Sequence, residues 1–583
     1  MSEAQDKLRG SGRIGYYVAE PLETIYREIT GLLGISLGSN LSVVFDADQE
    51  ARRVGAATPN SETVLDYDAI LVDGISLTRL SGIEGKPLIL VCGPVSGESP
   101  GLRLKTFAFN LGLEGTRLLM EGRDYTEKDV SDPVLDVMLE EIRDVLRREV
   151  RNYIELPPIP WGYAYAMTLT HDIDILSLKE MPIARTFLGY FYRSSVLNWK
   201  RWRAGKVQAS EHLRAIWEMA RTGAAKLGLG QDVWQRALPM LLELEKRLGV
   251  RSSLYFMAFP DKPGILPEHL RNDIDKNKNK NEDQESAPTN RASFYDVAKY
   301  PDLLNSLEEG GWEAGVHGID AWHDVQAART EHDRLAKVTG QDEIGVRMHW
   351  LYFQSPDSFK ALEEGGFHYD ATFGFNEVVG FRAGTLQPYH PLNCQTLWEL
   401  PLHIQDGALM GEEYFDLNRE DAFNMAKPIL DFAKRFGGAV SLLWHNQSFT
   451  APRFWGEVYE RLIAQGKADG AWIAVPRDVL HWFRRRRQCE VTLSIEGTQW
   501  QIACTFPDQG LIASISEGPS ILSSESKAPE SLDSSTPQIP PVRVRLQLDP
   551  KRVRAASVPY EAGEGYIDFP AQDLITFKVE GAG

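Results

Sequence analysis

Between Tyr163 and Phe483, short apolar runs of strand length recur with helical stretches between them. They are Tyr165–Thr170, Ser252–Phe256, Glu313–Val316, Ile344–Arg347, Thr396–Leu400, Val440–Trp444 and Trp472–Val475. Strands that alternate with helices in this way pair in parallel, so the repeat predicts a parallel sheet or a (β/α) barrel. Two stretches interrupt it. Met181–Lys246 is helical in composition and carries Arg and Lys on alternating faces, which reads as solvated helix surface. Arg271–Arg291 (RNDIDKNKNKNEDQESAPTNR) is polar and of low complexity, cannot bury a core, and predicts a mobile loop.

A chain of 583 residues exceeds one ordinary domain, and its flanks differ from the middle. Before the repeat, Leu41–Phe45, Ala69–Val72 and Pro87–Val91 have strand length. Ser131–Val150 predicts a helix with Ser131 as N-cap, Pro133 in its first turn and one stripe of Val134, Met138, Ile142, Val145 and Leu146. The Pro-rich LPPIPWG (Leu156–Gly162) then marks a junction. After the repeat, Glu490–Gly497, Gln499–Phe506 and Val542–Leu548 alternate as strands around a Ser/Pro-rich loop at Ser514–Pro541. The FRRRRQ run before them reads as an exposed helix end. These shifts divide the chain into an α/β domain at 1–158, a barrel at 159–487 with a helical insertion near 181–246 and a loop near 271–291, and a β-rich domain at 488–583.

Composition narrows the function. A formal charge of −19 repels phosphate backbones and argues against nucleic acid as a partner. Four cysteines (Cys92, Cys394, Cys489, Cys504) with no CxxC pair exclude a disulfide-stapled scaffold and a zinc ribbon. The N-terminus has no apolar run to serve as a signal peptide core, and no window approaches the ~18 apolar residues of a membrane span. The expectation is a soluble, cytoplasmic protein.

The chemistry-bearing residues collect at the ends of the repeated runs. In AMTLTHDID (Ala166–Asp174), a two-residue period puts Thr170, Asp172 and Asp174 on one side and His171 and Ile173 on the other. Two carboxylates on one side need a cation or a shared proton between them, although either would also serve as an N-cap or Asx turn. EAGVHGIDAWHD (Glu313–Asp324) offers His317, Asp320 and His323, whose donor atoms suit a divalent metal such as zinc. Residues six apart lie about 120° apart around a helix, so His317 and His323 share an ion only across a loop or irregular turn. GVRMHW (Gly345–Trp350) adds Arg347 and His349, and SLLWHNQSF (Ser441–Phe449) adds His445. Acids and bases gathered at the same ends of several strands are what a (β/α) barrel active site requires.

In family order, THDID, VHGID, RMHW and LLWH resemble the motifs of NodB-type polysaccharide deacetylases, metal-dependent hydrolases of N-acetyl groups on sugars. YDATFGFNEVVGFRAGT (Tyr369–Thr385) and LWELPLHIQDG (Leu397–Gly407) are similar to the branch found in bacterial surface-polysaccharide gene clusters, and HGIDAWH is similar to deformylases of an amino-arabinose. The resemblance spans about Tyr163–Phe483. It implies an irregular (β/α) barrel of NodB type, flanked here by the N-terminal α/β domain and the small C-terminal β domain.

By motif, Asp172 resembles the general base, Asp174 the metal-binding acid, His317 the first histidine ligand and His445 the general acid. Arg347 matches the arginine that holds the base. The family places a second histidine ligand four residues after the first; that position is Ala321, which leaves His323, Asp320 or a water. Arg382 and Trp350, with Asp320, are candidate substrate contacts. The resemblance implies a zinc-like ion, a carbohydrate substrate and polysaccharide-biosynthesis partners. The activity expected is removal of an N-acetyl or N-formyl group from an amino sugar of a surface polysaccharide or its precursor. The alternatives are a catalytically inactive scaffold or regulator in polysaccharide assembly, and an amidohydrolase or esterase of a non-sugar substrate.

Overall fold

In the computed structural model, which describes residues 14–35, 42–45, 67–73, 77, 87–93, 102–180, 183–258, 295–506 and 539–580, the apolar runs pair as parallel strands. The chain divides into two compact units. One comprises Met1–Gly115, Met138–Gly162 and His481–Gly583; the other comprises Thr116–Val137 and Tyr163–Leu480.

The first unit opens with an all-parallel sheet of β1 (Ile14–Ala19), β2 (Ser42–Phe45), β3 (Ala69–Val72), β4 (Leu88–Cys92) and β5 (Arg103–Phe107), in the order β2-β1-β3-β4-β5. β3 and β4 are buried throughout, which explains their unbroken apolar sequence. β5 (RLKTF) is mostly exposed at the sheet edge and shows no apolar alternation to read. The expected helix runs Val134–Glu149. It is followed by the short strand β6 (Ile154–Glu155).

The second unit contains the barrel: β7 (Tyr165–Ile173), β8 (Ser253–Phe256), β9 (Glu313–Gly318), β10 (Gly345–Met348), β11 (Tyr369–Asp370), β12 (Trp398–Glu399), β13 (Ile404–Gln405), β14 (Ala439–Leu443) and β15 (Ala471–Ile473). They form one sheet in the order β12-β11-β10-β9-β8-β7-β14-β13, with β15 also on β7. Every strand pairing in it is parallel. Helices such as Val325–Thr339, Asp357–Gly365 and Arg419–Phe436 connect successive strands, so this is an irregular (β/α) barrel. β7 lies between β8 and β14, also pairs with β15, and is buried along all nine residues. Gly345 is glycine because the Tyr369 ring occupies the space of a side chain there; a Cβ would lie 1.9 Å from that ring. β11 and β13 are two residues each, too short to leave a periodic signature.

The insertion is helical at Ile183–Tyr192, Arg193–Leu197, Asn198–Arg203, Ala209–Lys226 and Val233–Leu248. The loop expected at Arg271–Arg291 lies outside the described residues, as does most of the Ser/Pro-rich loop near Ser514–Pro541. No helix among the described residues is long and apolar enough to cross a membrane.

The remaining strands belong to the first unit: β16 (Glu490–Glu496), β17 (Gln499–Thr505), β18 (Arg543–Gln547), β19 (Val553–Ala556), β20 (Glu561–Gly563), β21 (Tyr566–Pro570) and β22 (Ile575–Val579). They form two four-stranded sheets, β16-β17-β22-β19 and β20-β21-β18-β6, over a shared core that includes Val491, Trp500, Val544, Ile567 and Phe577. The basic run ahead of them is not simply an exposed helix end. Arg486 is buried, and its guanidinium donates to the carbonyls of Leu156 (2.7 Å), Gly31 (3.1 Å) and Leu32 (3.2 Å). Gly31 and Leu32 end the helix Glu23–Leu33, where backbone carbonyls lack helical partners, and a buried cation there satisfies them.

Candidate metal centre

β7 extends through Ile173 and sets Asp172 and Asp174 at its end, while His171 between them faces the other way. The His171 ring lies against Glu245, Nε2 to Oε1 at 2.9 Å, and its Nδ1 donates to the Trp444 carbonyl at 2.6 Å. Glu245 also accepts from Tyr459, Trp312 and Ser252, so a fully buried carboxylate anchors the strand from behind.

On the facing side, one Asp174 oxygen lies 3.3 Å from His317 Nε2 and 3.6 Å from His349 Nε2. These three residues each present one ligand atom, all within 4.8 Å of one another. His317 Nδ1 donates to the backbone carbonyl of Arg347 at 2.9 Å, which orients the ring and turns Nε2 toward Asp174. The donor set, one carboxylate oxygen and two imidazole nitrogens, fits a divalent ion of the zinc class.

Asp172 is buried between an imidazole and a guanidinium: its carboxylate lies 3.8 Å from His317 Nε2 and 4.0 Å from Arg347 Nη1. Arg347 is completely buried, donates to Thr170 Oγ1 at 3.1 Å and lies over the Tyr255 ring. Next to it in the sheet, Asp370 and Glu399 pair across β11 and β12, both fully buried. Burial pushes both carboxyls up; the neighbouring Asp370 raises Glu399 further, while the contact with Glu399 works against the rise at Asp370, so the proton the two acids share sits with Glu399.

The opposite wall carries His445. Its Nδ1 is 2.7 Å from Asp406 Oδ1, its backbone N–H donates to the other Asp406 oxygen at 2.9 Å, and its Nε2 is 4.0 Å from Asp174. Burial opposes charge on this ring, but the Asp406 charge and hydrogen bond, with Asp174 and Asp172 beyond, push its pKa up to about 9. For Asp174, burial is likewise outweighed: the His317 hydrogen bond and the nearby imidazoles hold its carboxyl well below the usual range. His317 is raised, against burial, by Asp172 and Asp174. An ion bound here therefore competes with a proton at His317.

Of the residues expected from sequence, Asp172, Asp174, His317, Arg347 and His445 come together. His323 does not join them. It sits 3.4 Å from Asp320, because the turn after β9 is pinned by Glu331, which accepts the Ile319 and Asp320 amides at 3.0 Å each. The place expected for His323 in the converging set is held by His349. Arg382 is half-buried over Phe373 and donates to the Gly374 carbonyl at 3.1 Å, a packing position. Trp350 stands half-exposed beside His349.

Sequence reasoning did not name His349 as a candidate ligand, although its two-residue offset from Arg347 was visible. It also missed Asp406, in the HIQDG segment, and Gln447, which donates to Asp174 at 3.0 Å. His349 lies in a tight turn where Trp350 and Leu351 both take left-handed backbone angles (φ 60° and 53°), a geometry no strand period forecasts.

No family model matches this chain, and no curated protein matches it. Solved structures similar to it include a protein assigned as a polysaccharide deacetylase from Mycobacterium smegmatis, at 18% identity and a TM-score of 0.33, covering 56% of this chain and 94% of that one. An allantoinase is similar at 14% identity and a TM-score of 0.33, covering 56% and 93%. A protein from Pseudomonas aeruginosa, also assigned as a polysaccharide deacetylase, is similar at 16% identity and a TM-score of 0.32, covering 55% and 92%.

Proposed function

We propose that the barrel is a metal-dependent hydrolase that removes an N-acetyl or N-formyl group from an amino sugar of a surface polysaccharide or its precursor, in the cytoplasm. The observation that carries this reading is the convergence of Asp174, His317 and His349 on one point, with Asp172 on one flank and His445 on the other. A divalent ion held by those three residues supplies polarisation of the acyl oxygen and a more acidic water.

The chain's own residues supply the proton transfers. Asp172, held by Arg347, accepts the proton of the attacking water. His445, kept protonated by Asp406, delivers a proton from Nε2 to the departing amine nitrogen as the C–N bond breaks. Water and amide become a carboxylic acid and an amine, and no other reactant is needed. The sugar part of the reading rests on the order of THDID, VHGID, RMHW and LLWH, and the exposed Trp350 ring beside His349 is suited to stack on a sugar face. The inactive-scaffold alternative drew its force from Ala321 standing where a second histidine ligand is expected; His349 offers that imidazole. Module boundaries near residues 158 and 487 are likewise our proposal.

The test is a zinc-loaded preparation incubated with N-acetylated and N-formylated amino-sugar oligomers. Release of acetate or formate with an equal amount of primary amine is expected. Stoichiometric zinc with no release from any of them overturns the hydrolase reading.

A further inference from the structure

The helical arm between β7 and β8 has a composition unlike the rest of the chain. Residues 181–210 contain Arg185, Arg193, Lys200, Arg201, Arg203 and Lys206 and no Asp or Glu, within a protein of net charge −19. Three helical segments, Ile183–Tyr192, Arg193–Leu197 and Asn198–Arg203, follow one another without a break. Along them Leu188, Tyr192, Val196, Trp199 and Trp202 are all exposed, Leu188 to 67%. Their spacing of four, four, three and three residues makes a single stripe on a helix. The next helix exposes Leu213 and Trp217, four apart, and the turn after it exposes Leu227 and Leu229.

Single exposed apolar side chains are ordinary on a folded protein; a continuous stripe marks a surface that is covered in use. Solvated helix surface, as the composition alone suggests, does not account for a row of Trp, Tyr and Leu facing water. The cations lie among the same residues: Arg193, Lys200 and Arg203 are exposed, and the Arg203 guanidinium lies 6.0 Å from the Trp199 ring.

We propose that this arm lies on an anionic membrane surface, with its aromatic and aliphatic stripe in the headgroup region and its Arg and Lys on lipid phosphates. Trp and Tyr beside Lys and Arg, on a helix too polar to span, is the pattern of an in-plane amphipathic helix. Charge complementarity selects this occupant: the basic arm matches an anionic bilayer, whereas the acidic remainder of the chain is repelled by one. The arm is also tied to the metal centre. Arg201 pairs with Asp416 at 2.9 Å and reaches the Met410 carbonyl at 3.5 Å, and Lys206 pairs with Asp416 as well. Met410 ends the helix that begins at Asp406, the partner of His445. Membrane docking here rests on exposure and charge, so it stands or falls separately from the hydrolase reading.

The experiment is flotation of the full-length protein with vesicles of phosphatidylcholine alone and of phosphatidylcholine with phosphatidylglycerol. The wild type is expected to float only with the phosphatidylglycerol vesicles, to be released by salt, and to show a blue shift of Trp emission. Trp199→Ser with Trp202→Ser, and separately Lys200→Glu with Arg203→Glu, should each weaken flotation at least about tenfold while zinc content is unchanged. Absence of wild-type flotation overturns the proposal. So does flotation unaffected by both variants, or concentration-dependent self-association that Trp199→Ser abolishes without any vesicle binding, which would assign the stripe to a second copy.

Discussion

His445 and Asp406 are locked in a two-point contact: the carboxylate accepts both the ring Nδ1–H, at 2.7 Å, and the backbone N–H of the same histidine, at 2.9 Å. The backbone bond fixes where the carboxylate stands, and the ring bond stabilises the imidazolium. A histidine raised to about 9 stays protonated below that pH, so activity that needs its proton falls as pH rises through about 9. In Asp406→Asn the main cause of the rise is gone. The alkaline limb of the pH–rate profile should move down toward the ordinary histidine value of about 6.5, with a loss of about 10²–10⁴-fold in rate at its optimum. The profile of kcat against pH for both proteins checks this. An alkaline limb unmoved by the substitution would remove His445 from the acid role.

The metal set makes a discriminating pair. Asp174→Ala, His317→Ala and His349→Ala should each lose the ion, by more than the roughly 10–100-fold in affinity that losing an outer partner costs. His323→Ala should retain it, because His323 is held by Asp320 away from the cluster. Metal content after dialysis against a weak chelator reads both results at once. Retention in His349→Ala with loss in His323→Ala would reverse the assignment.

Glu245 is a buried hub whose carboxyl, against the effect of burial, is lowered by His171, Tyr459 and Trp312. A lowered carboxylate contributes stability above its unfolded pKa and loses it as pH falls through the folded value. Glu245→Gln removes the charged acceptor that the Tyr459, Trp312 and Ser252 donors share and should cost about 1–3 kcal/mol at neutral pH. The gap between wild type and variant should narrow in acid, where wild-type Glu245 is itself protonated. Urea midpoints measured at neutral and acidic pH decide the matter.

Arg486→Met removes every donor that the Leu156, Gly31 and Leu32 carbonyls receive from this guanidinium. Loss of partners for buried acceptors should exceed the relief of burying one fewer cation and destabilise the first unit by about 1–3 kcal/mol. Hydrogen exchange should quicken at the C-terminal turn of the helix Glu23–Leu33 and leave the barrel amides unchanged.

The barrel and most of its reactive groups were legible because they depend on local, periodic features. Alternating apolar and helical runs dictate parallel pairing, and a two-residue period separates Asp172 and Asp174 from His171. Arg347 and His445 follow apolar runs directly, so their place at the strand ends could be read along the chain. Five of the groups that meet at the centre were named in this way.

What remained hidden depends on distances between segments remote along the chain. Whether His323 or His349 completes the ligand set turns on Glu331 pinning one turn and on two left-handed residues bending another, and neither leaves a pattern in composition. Asp406 reaches His445 across 39 positions, and Arg486 caps a helix 454 positions away; side chains commit to such partners only once packing has brought them together. Periodicity specifies which face a residue joins. Only the packed chain specifies what stands opposite, because that is set by the register and loop geometry of the whole barrel.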